Sequence, residues 1–219
     1  AGDLALFNAY RLIDKSGVGS PLRERLLDVL DEAMFASAAG ELIDVDFSID
    51  PDMPLVDDIV TMERLKTAVY SFETPLQAGA ILAGASEDTV RTLGDFGREI
   101  GIAYQIVDDV LGVFGEEEAT GKTTIGDLRE GKRTVMIAFA CSTPAWARLC
   151  DLIGKADLSL DEADEARSLL IACGARAFAD DLARGYANRA LARLAEPHIP
   201  ASLRDELHPV AETVLKRVR

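Results

Sequence analysis

The stretch SEDTVRTLGDFGREIGIAYQIVDDVLGVF, residues 86–114, decides the fold class. Ser86 is a favourable N-cap residue, and the acidic Glu87 and Asp88 stand where the positive end of a helix dipole stabilises them. The apolar residues beyond them recur at helical spacing. The sequence therefore predicts one long helix from Ser86 to about Phe114.

Three glycines interrupt this predicted helix. Gly94, Gly97 and Gly101 are spaced by three and four residues, so they share one helix face. A glycine inside a helix costs about 0.5–1 kcal/mol relative to alanine. We therefore expect a neighbouring helix to pack closely against this face; a frayed helix that tolerates glycine is the alternative.

Helical periodicity extends over nearly the whole chain, and no run of alternating residues is long enough for a sheet. Loops are predicted at 41–54 and 115–128. Further helices are predicted over 1–16, 21–40, 56–83, 129–142, 145–153, 161–173, 175–195 and 202–218. Pro75 should kink or split the third of these helices. We expect an all-α protein with a single domain over residues 1–219.

The composition is that of a folded, acidic protein. The 219 residues include 23 Lys plus Arg and 38 Asp plus Glu, which gives a formal net charge of −15. A chain of this charge does not follow nucleic-acid phosphates by bulk attraction, so we expect no nucleic-acid partner. No apolar run reaches the roughly 18 residues that a membrane span needs, so we expect no span.

The cysteines and the first residues bear on cellular context. Cys141, Cys150 and Cys173 are odd in number and form no CxxC pair, which argues against a disulfide framework and a zinc site. A reducing, cytoplasmic location is expected. The sequence starts at Ala1 within a helical pattern and without an initiator Met, so further sequence is expected upstream.

Two adjacent carboxylates, Asp108 and Asp109, interrupt an apolar part of the long helix. Burying them is unfavourable unless a cation or hydrogen bonds compensate. Gln105 precedes them by three and four residues and so lies on the same face of the helix. Hard oxygen ligands of this kind favour a Mg²⁺ site, with a solvated helix face or an N-cap as the alternative.

Lysines and a further carboxylate follow in a glycine-containing loop. Lys122 and Lys132 each come directly after a glycine, with Asp127 between them. Ammonium groups on a flexible backbone are typical of a diphosphate site, and the carboxylate indicates a metal-bound water. Without Asp108 and Asp109 nearby, an exposed loop of mixed charge would be the simpler interpretation.

A lysine and a hydroxyl, Lys66 and Thr67, lie together in an apolar helical segment. They could bind phosphate at the edge of an apolar cavity. More often such a lysine extends its ammonium group to solvent. The pair alone does not decide between these two interpretations.

Taken together, these motifs resemble those of the trans-type isoprenyl diphosphate synthases, the polyprenyl synthetase family, and in particular its bacterial short-chain members. Order and spacing match over about residues 1–140. The segments that carry the resemblance are Ala1–Asp3 with Leu6, Lys66–Ala68, Pro75–Gln77 through Ala83–Gly84, Tyr104–Asp109, Val113–Gly115, Thr120–Lys122 and Asp127–Thr134. The resemblance implies a single-domain bundle of about ten helices around a central apolar cavity, assembled as a homodimer.

The resemblance also implies roles for individual residues. Asp108 and Asp109 would belong to the second aspartate-rich motif, which holds Mg²⁺ against a diphosphate, and Asp127 would hold a water on the metal. The implied catalytic residues are Lys66, Thr67, Gln105, Asp108 and Asp109. The implied substrate contacts are the lysines at the diphosphate and the two polar residues at the carbon that becomes cationic: Lys66, Lys122, Lys132, Thr67 and Gln105.

The sequence departs from the family pattern in three places. Gly112 stands where many members have the third aspartate of the motif, so weaker metal coordination is expected. Glu41 stands where a Gly-Gln-x-x-Asp pattern has its glutamine, between Gly40 and Asp44. The first aspartate-rich motif is not found in residues 1–219 and is expected upstream of Ala1.

The activity that the resemblance implies is prenyl transfer. Isopentenyl diphosphate would condense head-to-tail with an allylic diphosphate, after Mg-assisted ionisation to an allylic cation, to give farnesyl or geranylgeranyl diphosphate. Because only one aspartate-rich motif is present, residues 1–219 alone are expected to be inactive. The alternatives are a non-catalytic subunit or inactive relative of such a synthase, and a class I terpene cyclase.

Overall fold

The structure, a computed structural model, describes residues 2–115 and 124–217. Over these two ranges the regular structure is entirely helical. The elements in chain order are α1 Gly2–Lys15, α2 Ser20–Ile49, α3 Val56–Glu63, the π-helix π1 Arg64–Glu73, α4 Thr74–Leu82, α5 Glu87–Phe114, α6 Gly126–Glu130, α7 Val135–Cys141, α8 Trp146–Leu149, α9 Leu160–Ala172, α10 Ala175–Leu194 and α11 Ala201–Arg217. The prediction of an all-α protein is confirmed. Among the described residues, no helix combines the length and apolar character that crossing a bilayer requires.

The long helix α5 lies at the centre of the bundle. Its N-cap is Ser86, as predicted, whose hydroxyl accepts a hydrogen bond from the backbone N–H of Thr89 at 3.2 Å. Phe96, Ile100 and Ile106 on α5 are almost completely buried. The helices that pack most extensively on α5 are α10 and π1. The buried face of α10 is a stripe of small side chains: Ala175, Ala179, Ala183, Ala187 and Ala190.

Glycine sets the distance between α5 and π1. A Cβ atom on Gly97 would lie 2.8 Å from the Cα of Glu73, and one on Gly101 would lie 2.6 Å from the Cβ of Ala68. The prediction that these glycines admit a neighbouring helix is confirmed. Across the same interface, Arg98 donates hydrogen bonds to both carboxylate oxygens of Glu73, at 3.1 and 2.5 Å.

The predicted end of α2 was wrong. The helix continues past Gly40 to Ile49. Gly40 is a point of close contact with a neighbouring helix and not a helix end, since a Cβ atom there would lie 2.7 Å from the Cα of Lys66. The helix stops before Asp50, which has an extended backbone, with φ −71° and ψ 131°, as expected for a residue that precedes a proline. Only the last part of the predicted loop at 41–54 is therefore a connection.

Two other predicted helices are divided. The helix predicted over 56–83 is split before Pro75, as expected, because α4 starts at Thr74 with Pro75 in its first turn; the residues before it form π1, which was not predicted. The helix predicted over 129–142 is divided at Gly131. This residue has a positive φ of 67°, which ends α6 before α7 begins.

Candidate active site

A small cavity of about 50 Å³ lies between α2, π1 and α5. It gathers side chains that are far apart in the sequence. Its lining residues are Asp44, Met62, Glu63, Lys66, Thr67, Gln105, Asp109 and Lys132. Five of these were predicted as site residues from the sequence, namely Lys66, Thr67, Gln105, Asp109 and Lys132.

Asp109 is the buried centre of this cluster. Asp109 is 3% exposed, and its Oδ1 accepts hydrogen bonds from Lys132 Nζ at 2.8 Å and from Gln105 Nε2 at 2.9 Å. Burial raises the pKa of Asp109, whereas Lys132 and Gln105 act to lower it. Burial acts to lower the pKa of Lys132, but the charge and hydrogen bond of Asp109, together with the charges of Asp127 and Asp108, raise it. The two groups form a charge-assisted pair that fixes the position of the ammonium group.

Glu63 is a buried carboxyl that the sequence analysis missed. It is 2% exposed, and neither of its oxygens accepts a hydrogen bond from a donor group in the described part of the chain. Burial, and next the charge of Asp109, raise the pKa of Glu63 well above its ordinary value, which favours the uncharged acid. One signal was available: Glu63 stands one helical turn before Lys66 and Thr67, directly after an apolar Met62.

Lys66 is held by two carboxylates of α2. Its Nζ lies 2.5 Å from Asp44 Oδ2 and 3.1 Å from Glu41 Oε2. Burial acts to lower the pKa of Lys66, but its hydrogen bonds to Asp44 and Glu41 raise it. Since Gly40 lets α2 approach the backbone of Lys66, one short segment supplies both the close contact and the anionic partners.

Of the three other predicted site residues, the structure describes Asp108 and Asp127. Asp108 is half-buried; it does not line the cavity, but its charge contributes to the raised pKa of Lys132. Asp127, on α6, places its Oδ2 3.9 Å from Lys132 Nζ. Lys122 lies outside the described residues.

The carboxylates of Asp108, Asp109 and Asp127 are hard oxygen ligands of the kind that Mg²⁺ prefers. Within residues 2–115 and 124–217, no three His, Cys, Asp or Glu side chains are grouped closely enough to hold an ion by themselves. Gly112 has no side chain, and the Asp127 carboxylate occupies the space that a Cβ would take. These residues fit an ion that receives most of its ligands from water and diphosphate oxygens.

An apolar groove of about 470 Å³ begins beside the same lysine. Its lining residues are Leu6, Met34, Ser37, Ala38, Glu41, Lys66, Thr67 and Tyr70. Lys66 and Thr67 line both the charged cavity and this groove. The site therefore has a charged part and an adjoining apolar part.

The chain matches a known protein family over most of its length. The family model for polyprenyl synthetase matches residues 1–170. The chain belongs to the polyprenyl synthetase family. Geranylfarnesyl diphosphate synthase of Aeropyrum pernix is 33% identical over 223 residues, covering 100% of this chain and 69% of that protein. The (2E,6E)-farnesyl diphosphate synthase of Mycobacterium tuberculosis is 31% identical, covering 99% of this chain and 61% of that protein.

Solved structures of polyprenyl synthetases agree with this assignment. Geranylgeranyl pyrophosphate synthase from Corynebacterium glutamicum, complexed with isoprenyl diphosphate and magnesium, has a TM-score of 0.91 at 31% identity, with 99% of this chain and 62% of that chain covered. The geranylgeranyl pyrophosphate synthetase of Pyrococcus horikoshii has a TM-score of 0.88 at 26% identity, with 98% and 65% covered. The chain thus spans 61–69% of the length of these four relatives.

Proposed function

We propose that the complete protein is a prenyltransferase that joins isopentenyl diphosphate head-to-tail to an allylic diphosphate, with farnesyl or geranylgeranyl diphosphate as the product. The observation that carries this proposal is the meeting of the charged cavity and the apolar groove at Lys66 and Thr67. A prenyl diphosphate has the same two parts, an anionic head and an apolar tail. The names of the relatives support the same reaction.

The lysines would bind the diphosphate head. Lys66 and Lys132 reach the cavity from π1 and from the turn after α6, so they can contact one anion from two sides. Lys122 is assigned to the same diphosphate by the family resemblance. Magnesium held at Asp108 and Asp109, with Asp127 beside them, would neutralise charge on the leaving diphosphate.

The polar side chains at the cavity edge would face the reacting carbon. Because Gln105 directs its amide nitrogen to Asp109, its carbonyl oxygen remains as the group that can stabilise a positive carbon. The Thr67 hydroxyl lies in the same cavity. When the C–O bond of the allylic substrate breaks, the double bond of isopentenyl diphosphate forms the new C–C bond. A proton is then lost to the released diphosphate.

The apolar groove would hold the prenyl chain and exclude water, which would otherwise add to the cation. Its apolar wall is formed by Leu6 of α1, Met34 and Ala38 of α2, and Tyr70 of π1. We further propose, from the family resemblance, that the protein acts as a cytoplasmic homodimer. Light scattering after size-exclusion chromatography tests the dimer, and fractionation of the source cells tests the location.

The deciding experiment is a transfer assay with radiolabelled isopentenyl diphosphate and dimethylallyl, geranyl or farnesyl diphosphate. The complete native protein and residues 1–219 are assayed in parallel. We expect product from the complete protein and none from residues 1–219, because loss of one transition-state contact already costs about 10²–10³ in rate. No product from a folded complete protein favours a non-catalytic subunit. A cyclic product from the allylic diphosphate alone favours a terpene cyclase.

A further inference from the structure

Arg167, on α9, joins two segments that are far from it in the chain. Its Nε donates a hydrogen bond to the backbone carbonyl of Val113 at 2.7 Å. Its Nη2 donates to the backbone carbonyl of Thr124 at 3.1 Å and to the hydroxyl of the same residue at 3.0 Å. Val113 lies in the last turn of α5, and Thr124 lies two residues before α6 begins. One guanidinium group therefore links α9, the end of α5 and the start of α6.

The groups that form this link are largely buried. Val113 is 2% exposed and Thr124 is 8% exposed, while the Arg167 side chain is 20% exposed. Carbonyls in the last turn of a helix lack a partner within the helix, and a buried carbonyl left without one is unfavourable. The Nη1 of Arg167 donates to Asp164 at 2.7 Å, so every nitrogen of the guanidinium has an acceptor. A lysine has one nitrogen and lacks this planar fork.

The link lies beside the contact that sets α6 against α5. Val113 directly follows Gly112, and Thr124 precedes Asp127 by three residues. The Asp127 carboxylate lies against Gly112, since a Cβ atom built there would be 3.0 Å from Asp127 Cγ. Arg167 thus ties the two helices together next to the point where they meet.

The position of Lys132 depends on where α6 lies. The backbone N–H of Lys132 donates to the carbonyl of Asp127 at 3.1 Å, so the turn that starts the lysine is fixed to α6. The Nζ of Lys132 then reaches Asp109 on α5 at 2.8 Å. Arg167 does not line the charged cavity. Its effect on the cavity is therefore transmitted through α5 and α6.

We propose that Arg167 is a positioning residue of the candidate active site, which holds α6 on α5 so that Lys132 stands where it binds the diphosphate. The proposal rests on the proposed function in taking diphosphate as the bound anion. It adds a residue outside the cavity, on a third helix, to those on which substrate binding depends.

The affinity of the complete protein for inorganic diphosphate tests this proposal. It is measured by isothermal titration in excess Mg²⁺, at a temperature where circular dichroism shows each variant to be folded. R167M should bind diphosphate about 2- to 30-fold more weakly, the range typical of a residue that acts on a site without touching the ligand. R167K should show most of this loss, because one ammonium group cannot bond α5 and α6 together. R167K replaces R167M in the comparison if R167M is unfolded.

The control is Arg148, another arginine that bonds across two segments. It donates two hydrogen bonds to Glu165 of α9, both at 2.8 Å, but this pair is exposed and far from α6 in its contacts. R148M should therefore bind diphosphate like the wild type. A residue that only stabilises the fold would lower the unfolding temperature in either variant and leave the affinity of the folded protein unchanged.

A double variant decides whether the effect passes through Lys132. K132M alone removes the ammonium group, so K132M/R167M should bind diphosphate no more weakly than K132M. Losses that add in the double variant overturn the proposal, and so does a folded R167M or R167K that binds like the wild type. A wild type that does not bind diphosphate also overturns it. Because the readout is binding, a protein that binds in the expected order but forms no prenyl product contradicts the proposed function alone.

Discussion

Lys132 donates a hydrogen bond across 2.8 Å to the buried carboxylate of Asp109, although 23 residues separate the two in the chain. The bond links the turn that follows α6 to the middle of α5. It also sets the ammonium group at the edge of the cavity where we propose that the diphosphate binds. The contact therefore bears on stability and, under the proposed function, on the binding of diphosphate.

Replacing Lys132 with methionine should destabilise the protein by about 1–3 kcal/mol, because it leaves the buried Asp109 carboxylate without its cation. K132M/D109N should be more stable than K132M, since the remaining amide carries no charge. Urea unfolding followed by circular dichroism measures both changes. K155M, which breaks the surface pair with Glu162, is the control and should change stability much less. Equal losses in K132M and K155M would contradict the prediction.

Replacing Glu63 with glutamine should alter how stability depends on pH. The pKa of Glu63 is raised in the folded protein, so its contribution to stability is complete below the ordinary carboxyl pKa of about 4.3 and is lost as pH rises through the raised pKa. Over that interval the wild type should therefore lose stability relative to E63Q. Denaturant unfolding at several pH values, without divalent cations, measures this difference.

The control for Glu63 is E32Q, which alters an exposed glutamate of α2. Its unfolding free energy should run parallel to that of the wild type at every pH. If E63Q also runs parallel, then the Glu63 carboxyl has an ordinary pKa in the folded protein, and the prediction is wrong.

Replacing Glu41 with glutamine should tighten the binding of diphosphate. Lys66 then loses one of its two anionic partners and keeps Asp44. Because such a partly exposed ion pair is worth about 0.2–1 kcal/mol, the gain in affinity should reach up to about fivefold. Isothermal titration with Mg²⁺ and inorganic diphosphate measures it, and E32Q on the same helix serves again as the control. Weaker binding by E41Q would show that Glu41 assists the anion instead of competing with it.

Adding a methyl group at Gly97 should force α5 and π1 apart. Its Cβ would lie 2.8 Å from the backbone of Glu73, and overpacking of this kind costs about 1–3 kcal/mol. G79A makes the same change where no atom lies within 4 Å, so it should be neutral or should stabilise by up to about 1 kcal/mol. Thermal unfolding compares the two variants. If G97A unfolds at the same temperature as the wild type, then the two helices can move apart without loss of stability, and the prediction is wrong.

The fold and much of the cavity could be predicted from local sequence. The Ser86 cap, the helical spacing that follows it, and the glycine face of α5 are all properties of neighbouring residues, and each of them was read correctly. Gln105, Asp108 and Asp109 were expected on one face because residues three and four apart are neighbours on a helix. Of these three, Asp108 does not line the cavity, although the other two do.

The features that were missed depend on contacts between distant residues. Gly40 looks like a helix end in the sequence, but the backbone of Lys66, on another helix, explains why it is glycine. Glu63 looks like an ordinary exposed residue of an amphipathic helix, but in the folded chain it is buried beside residues from several elements. Likewise, nothing in the sequence near Gly112 reveals that Asp127 lies against it.

The hold of Glu41 and Asp44 on Lys66 also bears on how binding responds to salt. A lysine that faces only solvent becomes a poorer partner for an anion as ionic strength rises, because dissolved ions screen the attraction. Under the proposed function, Lys66 instead exchanges its carboxylate partners for phosphate oxygens. Added salt weakens the carboxylate contacts that are given up as well as the phosphate contacts that are gained, so the two effects oppose each other. Glu41 and Asp44 thus act as counterions of Lys66 within the chain. The contribution of Lys66 to the affinity for diphosphate should therefore change little between dilute buffer and the salt concentration of a cell.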